Sequence, residues 1–209
     1  MARRGDDLRQ HIMWTAKDVF LELGFERASM DVVASRAATS KRSLYAHFES
    51  KEKLFLAVIE LVRGLFLTRL GRPGDYPGQP DEALVMFCGR YLETLLFEGS
   101  IQMFRLSAAE TARFPAGAAQ YFDVVFTEVQ SRISAYLAGA FSSPPALSDE
   151  TAERLLGQVL YPRLPRALFG VDQLAKSLDD ILSPEFDLGQ IREAVADSIR
   201  GLQQHPPPL

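Results

Sequence analysis

Apolar residues recur at intervals of three and four along nearly all of this 209-residue chain. Nowhere do they alternate with polar ones as a half-buried strand requires. Leu8, Ile12, Ala16, Val19/Phe20 and Leu23 form the first such stripe, and Gly24 is suited to stop that helix because it tolerates the left-handed conformation common just past a helix end. Ser29 is a good N-cap, with Asp31 in the first turn where the helix dipole favours an anion. The second, short helix turns Met30, Val33, Ala34 and Ala37 inward. A tight connection around Ala38, Thr39 and Ser40 leads to a third helix over residues 41–48, with Leu44 and Phe48 on one side. Ser50 caps a long fourth helix over 51–70.

Residues 71–80 hold four glycines and prolines among their first seven positions and form the clearest break in the chain. Beyond it the spacing predicts helices over 81–97, 101–111 and 114–141. The last of these carries Phe122, Val125/Phe126, Val129, Ile133, Tyr136/Leu137 and Phe141 on one face. Two more follow over 149–169 and 185–203, joined by a short helical piece near 174–182. Pro162 and Pro165 must bend or split the first of that pair, since each removes a backbone donor. The tail His205-Pro206-Pro207-Pro208-Leu209 is expected to fray. The expected fold is all-α.

Apolar residues make up 47% and charged residues 24% of the chain, a globular balance rather than that of a disordered chain. Apolar runs such as 54–59 fall far short of the ~20 residues a membrane span needs. The N-terminus has charge but no apolar stretch behind it, so no signal peptide is expected and the cytoplasm is the expected location. The single cysteine, Cys88, excludes an intramolecular disulfide and a multi-thiolate metal site. The net charge of -4 hides an asymmetry. Residues 1–53 hold 10 Lys/Arg against 8 Asp/Glu, and residues 54–209 hold 13 against 19. An acidic molecule is ill suited to non-specific nucleic-acid binding as a whole, but one basic face at the N-terminus is not excluded.

Residues 29–48 have the dimensions of a helix-turn-helix, whose second helix enters the DNA major groove while the first crosses the backbone. Ser40, Lys41, Arg42, Ser43, Tyr45 and His47 surround the apolar anchors Leu44 and Phe48. Arginine or lysine can donate to the O6/N7 edge of guanine. Lys51, Arg3 and Arg4 are placed for phosphate contacts. A solvated helical face bearing cations would show the same spacing.

The stretches 20–25 (Phe-Leu-Glu-Leu-Gly-Phe), 29–34 (Ser-Met-Asp-Val-Val-Ala) and 39–54, the last containing Leu44-Tyr45-Ala46-His47-Phe48-Glu49-Ser50-Lys51, resemble the TetR family of bacterial transcriptional regulators. The resemblance covers about the first quarter of the chain. It implies a three-helix DNA-binding domain (1–53) joined by a long helix to a helical ligand-binding and dimerisation domain (54–209). It also implies a homodimer on double-stranded operator DNA, a small-molecule effector, and no catalytic residue, cofactor or metal. Carried over by position, it makes Ser29 a phosphate-facing cap, and Lys41, Arg42 and Ser43 readers of base or phosphate. Tyr45 and His47 become backbone contacts, and Lys51 a phosphate contact. One departure is visible: the family's turn commonly carries glycine where this chain has Ala38, which implies either negative φ or a local cost.

Residues 105–115 resemble one subgroup of these regulators. The middle helices are rich in large apolar side chains, and Phe87, Tyr91, Phe104, Arg105, Tyr121, Phe122 and Phe126 are the candidate lining of a pocket for a hydrophobic or amphipathic molecule. Aromatic residues at helical spacing are also what a plain core contains. Leu155, Leu156, Val159, Leu160, Ile191, Val195, Ile199 and Leu202 are expected to supply apolar contact between two copies. The expected function is a ligand-responsive regulator, as a repressor. A ligand-independent architectural factor on the same fold is the alternative. An enzyme is disfavoured, because His11, His47 and His205 lie far apart and no phosphate loop or nucleophile elbow is present.

Overall fold

A computed structural model describes residues 2–179, 181–183 and 185–204, with side chains from residue 6 onward. Among the described residues eleven α-helices appear and no strand. They are α1 Ala2–Arg27, α2 Met30–Arg36, α3 Lys41–His47, α4 Lys51–Leu70, α5 Pro80–Leu96, α6 Glu98–Ala109, α7 Pro115–Phe122, α8 Glu128–Ala140, α9 Pro145–Leu160, α10 Arg163–Leu168 and α11 Gly189–Gln203. The side chains of Arg3 and Arg4 and the proline-rich tail from His205 lie outside the described residues. No helix among the described residues is long and apolar enough to cross a membrane.

The chain gathers into two compact units that do not follow chain order. The first holds everything up to Leu65 together with Gln102–Tyr121. Its core joins Ile12, Ala16, Val19 and Phe20 of α1 to Val33, Leu44, Leu54, Phe55 and Val58, all buried. Phe20, Phe25 and Phe55 meet at ring-centroid separations of 5.9, 5.2 and 5.1 Å. Such aromatic pairs contribute about 0.5–1.5 kcal/mol each beyond the area they bury. Gly24 interrupts α1 as expected, with φ 74° and ψ 167°, and one further helical turn comes after it. Trp14, the one tryptophan of the sequence, stands partly exposed on α1 with the Lys17 ammonium 4.9 Å from its ring centre.

The second unit holds Phe66–Ile101 and the chain from Phe122 onward. Here α5 is buried along most of its length, with α9 and α11 packed against it and against each other, and α8 packed on α9. The stretch after α10 departs from the expected short helix at 174–182. Its main-chain groups are committed to α5 and α6 instead of to each other. Ala175 accepts from the Glu98 amide at 2.9 Å beside an isolated parallel bridge to Phe97. Arg90 of α5 donates to the carbonyls of Asp179 (2.6 Å) and Ile181 (3.1 Å). These carbonyls are aimed across the chain, and the Ser183 amide that a helix would direct at Asp179 O goes to Glu93 Oε1 instead, so the described part of the segment is not helical. The last helix begins at Gly189, not at 185, and the Gly189 amide is held by Asp187 Oδ1 at 2.9 Å.

The expected helix over 149–169 starts four residues earlier and is split at Tyr161-Pro162, so α9 and α10 are separate. The helix expected over 114–141 does run through, but Asp123–Thr127 is wound as a π turn. A π turn inserts an extra residue into the helical register and rotates the helix before it relative to the helix after it. Val125, Val129, Ile133 and Leu137 are buried as one stripe, whereas Phe122 is turned out and 56% exposed.

The apolar residues assigned to a contact between copies need correction. Leu155, Leu156, Val159, Ile191, Val195 and Leu202 are buried within the chain itself, and Leu160 and Ile199 are half-buried. The stripes of α9 and α11 face each other and α5, so one chain already covers them.

Candidate nucleic-acid interface

Two serines set the start of both short helices. Ser29 Oγ accepts from the Val32 amide at 3.2 Å, and Ser40 Oγ accepts from the Ser43 amide at 3.0 Å. Each cap is worth about 1 kcal/mol over alanine. A hydroxyl that accepts in this way keeps its own hydrogen, so each cap can still donate outward.

Between the helices the chain closes a Schellman turn. The Ala38 amide donates to Ser35 O (3.2 Å) and the Thr39 amide to Ala34 O (3.0 Å), which makes Ala38 the residue just past the cap. Its φ is +48°. Of the two outcomes open from the sequence, the alanine carries the left-handed conformation, at a cost of about 1–2 kcal/mol for an L side chain.

The two faces of α3 are clearly divided. Leu44 is fully buried and Phe48 nearly so. Lys41, Arg42 and Tyr45 are exposed, Tyr45 to 49%, with Ser43 and His47 half-buried. Burying a leucine contributes about 1.5–3 kcal/mol, enough to hold a seven-residue helix that is too short to persist alone. Arg42 makes no ion pair with any described residue. Lys41 Nζ pairs with Asp31 Oδ2 at 2.7 Å, both side chains well exposed. Such a surface pair is worth less than about 1 kcal/mol and exchanges readily for another anion. At the other end of α2, Arg36 forks onto both oxygens of Glu22 and ties α2 to α1. That hydrogen bond holds the Glu22 carboxyl below its usual range.

Lys51 lies differently from an outward-reaching phosphate ligand. Its ammonium donates to the carbonyls of Phe25 (2.9 Å), Glu26 (3.3 Å) and Ala28 (2.9 Å) and lies 4.3 Å from the Phe25 ring centre. An ammonium has three hydrogens, and all three are directed at the end of α1. The signal missed in the sequence is the set of orphan carbonyls that every helix end presents.

The seven candidate pocket residues fall in both units. In the first, Phe104 and Tyr121 stand edge to face at 6.1 Å and Arg105 is exposed. Burial pushes the Tyr121 phenol up. In the second, Phe87 packs edge-on to Tyr76 at 5.9 Å, and Tyr91 donates to Val125 O at 3.0 Å. Phe126 lies 5.0 Å from the outward-turned Phe122.

Comparison with known proteins agrees with this arrangement. Residues 12–58 match the model for bacterial regulatory proteins of the tetR family, and residues 82–143 match that for the C-terminal domain of AefR-like transcriptional repressors. The HTH-type transcriptional activator FasR of Mycolicibacterium smegmatis is 44% identical over 55 residues, which are 26% of this chain and 25% of that one. The HTH-type transcriptional repressor NicS of Pseudomonas putida is 34% identical over 65 residues, 31% of either chain. The match thus spans only a quarter to a third of these relatives. Solved structures match at full length: the flavonoid-responsive regulator FrrA has a TM-score of 0.69 at 25% identity, over 95% of this chain and 96% of that one. A TetR family transcriptional regulator from Pseudomonas syringae pv. tomato shares the fold with a TM-score of 0.64 at 22% identity, over 92% and 95%. With both models matched in chain order and α3 exposed on a capped, buried frame, the chain belongs to the TetR family of bacterial transcriptional regulators.

Proposed function

We propose that this regulator is a repressor that binds a palindromic operator as a homodimer and is released by a small hydrophobic or amphipathic effector. The observation that carries the reading is the division of α3, with Leu44 sealed inside and Lys41, Arg42 and Tyr45 presented outside. Residues 1–53 do the reading and residues 54–209 regulate it. Arg42, with no partner among the described residues, is the foremost base reader. Lys41 leaves Asp31 for a phosphate. Ser29, Ser40, Ser43, Tyr45 and His47 donate to the backbone, and Lys51 braces the frame. The match to an AefR-like repressor domain supports repression.

The name of FrrA supports an aromatic effector, as does the aromatic content of α5, α6 and α7. Phe87, Tyr91, Phe104, Arg105, Tyr121, Phe122 and Phe126 remain its proposed contacts, Phe122 from an exposed position. Release is a population shift, in which the effector favours a spacing of the two reading helices that DNA disfavours.

Selection of duplexes from a random pool, followed by anisotropy titration, tests the reading. The expected product is an inverted repeat with half-sites about one DNA turn apart. Arg42→Ala is expected to lower affinity by about 1–3 kcal/mol and to relax one position of the site. Lys41→Ala is expected to weaken all sequences alike and reduce the salt slope by about 1. A flavonoid panel added to the complex is expected to release it. Binding without any sequence preference would sink the proposal.

A further inference from the structure

The turn between α6 and α7 belongs to the same compact unit as the reading helices, although it is contributed from far along the chain. Phe114, in that turn, stands edge-on to Phe25 at 4.8 Å and tilted against Phe55 at 5.3 Å. Its neighbour Arg113 lies 5.1 Å from the Phe25 ring centre and pairs with Glu26. Just beyond, Gly117 allows α7 to approach α4 closely. A Cβ there would lie 2.8 Å from Leu56 Cδ2 and 3.2 Å from Ile59 Cδ1. Phe25 and Glu26 are also where Lys51 of α4 grips the end of α1. The next residues, Arg27, Ala28 and Ser29, lead directly into α2. The end of α1 is therefore held by α4 and by the α6–α7 turn together, immediately ahead of the helix-turn-helix.

We propose that Arg113 and Phe114 are positioning residues for DNA binding. They act through Glu26 and Phe25 to fix the end of α1, and hence the attitude of α2 and α3. The inference rests on the DNA-reading assignment above. It gives the regulatory part of the chain a second hold on the reading unit besides α4, at a point only four residues ahead of the start of α2.

The test uses the full-length protein and a duplex that the wild type selects from a random pool. Glu26→Gln and Arg113→Gln change the net charge in opposite directions, so a general electrostatic effect would strengthen DNA binding in the first and weaken it in the second. Positioning predicts that both weaken binding, by about fivefold, the low end of common coupling between linked sites. The double variant is expected to be no worse than either single one, because the two groups act as a unit. Thermal unfolding, followed alongside, is expected to stay close to wild type for these exposed residues. Phe114→Leu is expected to weaken binding likewise. Should it fail to fold, the polar pair carries the test. Tighter binding by Glu26→Gln, or additive losses in the double variant, overturns the inference. If the wild type selects no duplex, the DNA-reading assignment falls and takes this inference with it. If the wild type binds and the variants bind equally well, positioning alone falls.

Discussion

Glu93→Ala is expected to destabilise the second unit strongly. Arg90 is 1% exposed. It donates to Glu93 Oε2 at 2.8 Å and to the carbonyls of Asp179 and Ile181. The other oxygen of Glu93 accepts from the Ser183 amide at 3.0 Å. Removing the carboxylate leaves a buried cation facing only neutral carbonyls, and breaking a buried pair in this way costs about 3–5 kcal/mol. Glu93→Gln keeps the shape but loses the charge assistance, for about 1.5–3 kcal/mol. For a chain of this length each kcal/mol lowers the melting temperature by about 2–4 °C, so Glu93→Ala is expected to melt about 10 °C lower at fixed protein concentration. Amide exchange adds a local readout, in which the Ser183 N–H, deprived of its acceptor, loses protection. A fall under about 2 °C for both variants, with Ser183 still protected, would refute the claim that this pair fastens the segment after α10 to α5.

Two further outcomes come from the geometry. Ala38→Gly relieves the positive φ of the turn but gives the unfolded chain more freedom, so a net stabilisation of about 0.5–1 kcal/mol is expected. Urea unfolding checks it, and destabilisation would mean that the turn does not adopt φ +48°. Cys88 is fully buried and its thiol is pushed up to about 12 from 9.0, so it is expected to resist thiol reagents at pH 8 until the protein unfolds. With the folded pKa raised, the stabilisation is intact below pH 9 and declines between pH 9 and 12 as the unfolded thiol ionises, with a slope approaching about 1.4 kcal/mol per pH unit. Rapid native labelling would contradict that burial.

What could be seen in the sequence was what neighbouring residues decide. Ser29 and Ser50 announce helix starts because the amide each one caps is three residues ahead, and Ser40, read as part of the tight connection, caps α3 in the same way. The exposure of Lys41, Arg42 and Tyr45 is set by the period of a helix anchored by Leu44. Groups whose partners are remote in the chain escaped. Lys51 points to phosphate by its position, but the carbonyls that hold it lie 23 to 26 residues earlier. A short helix is expected near 174–182, and the Arg90 side chain that takes the Asp179 carbonyl instead lies 89 residues away. The stripes of α9 and α11 were legible as apolar faces. Which partner would cover them was not, because one chain and two chains offer the same periodicity.

The π turn at Asp123–Thr127 bears on how relatives should be aligned. One residue more or fewer there swings the preceding helix by about 100°, the angle between successive residues of an α-helix. A relative that lacks the bulge would put a different position where Phe122 now meets solvent. Gap-free alignment across this stretch would then equate side chains that point in different directions, and effector preferences transferred through it would be assigned to the wrong residues.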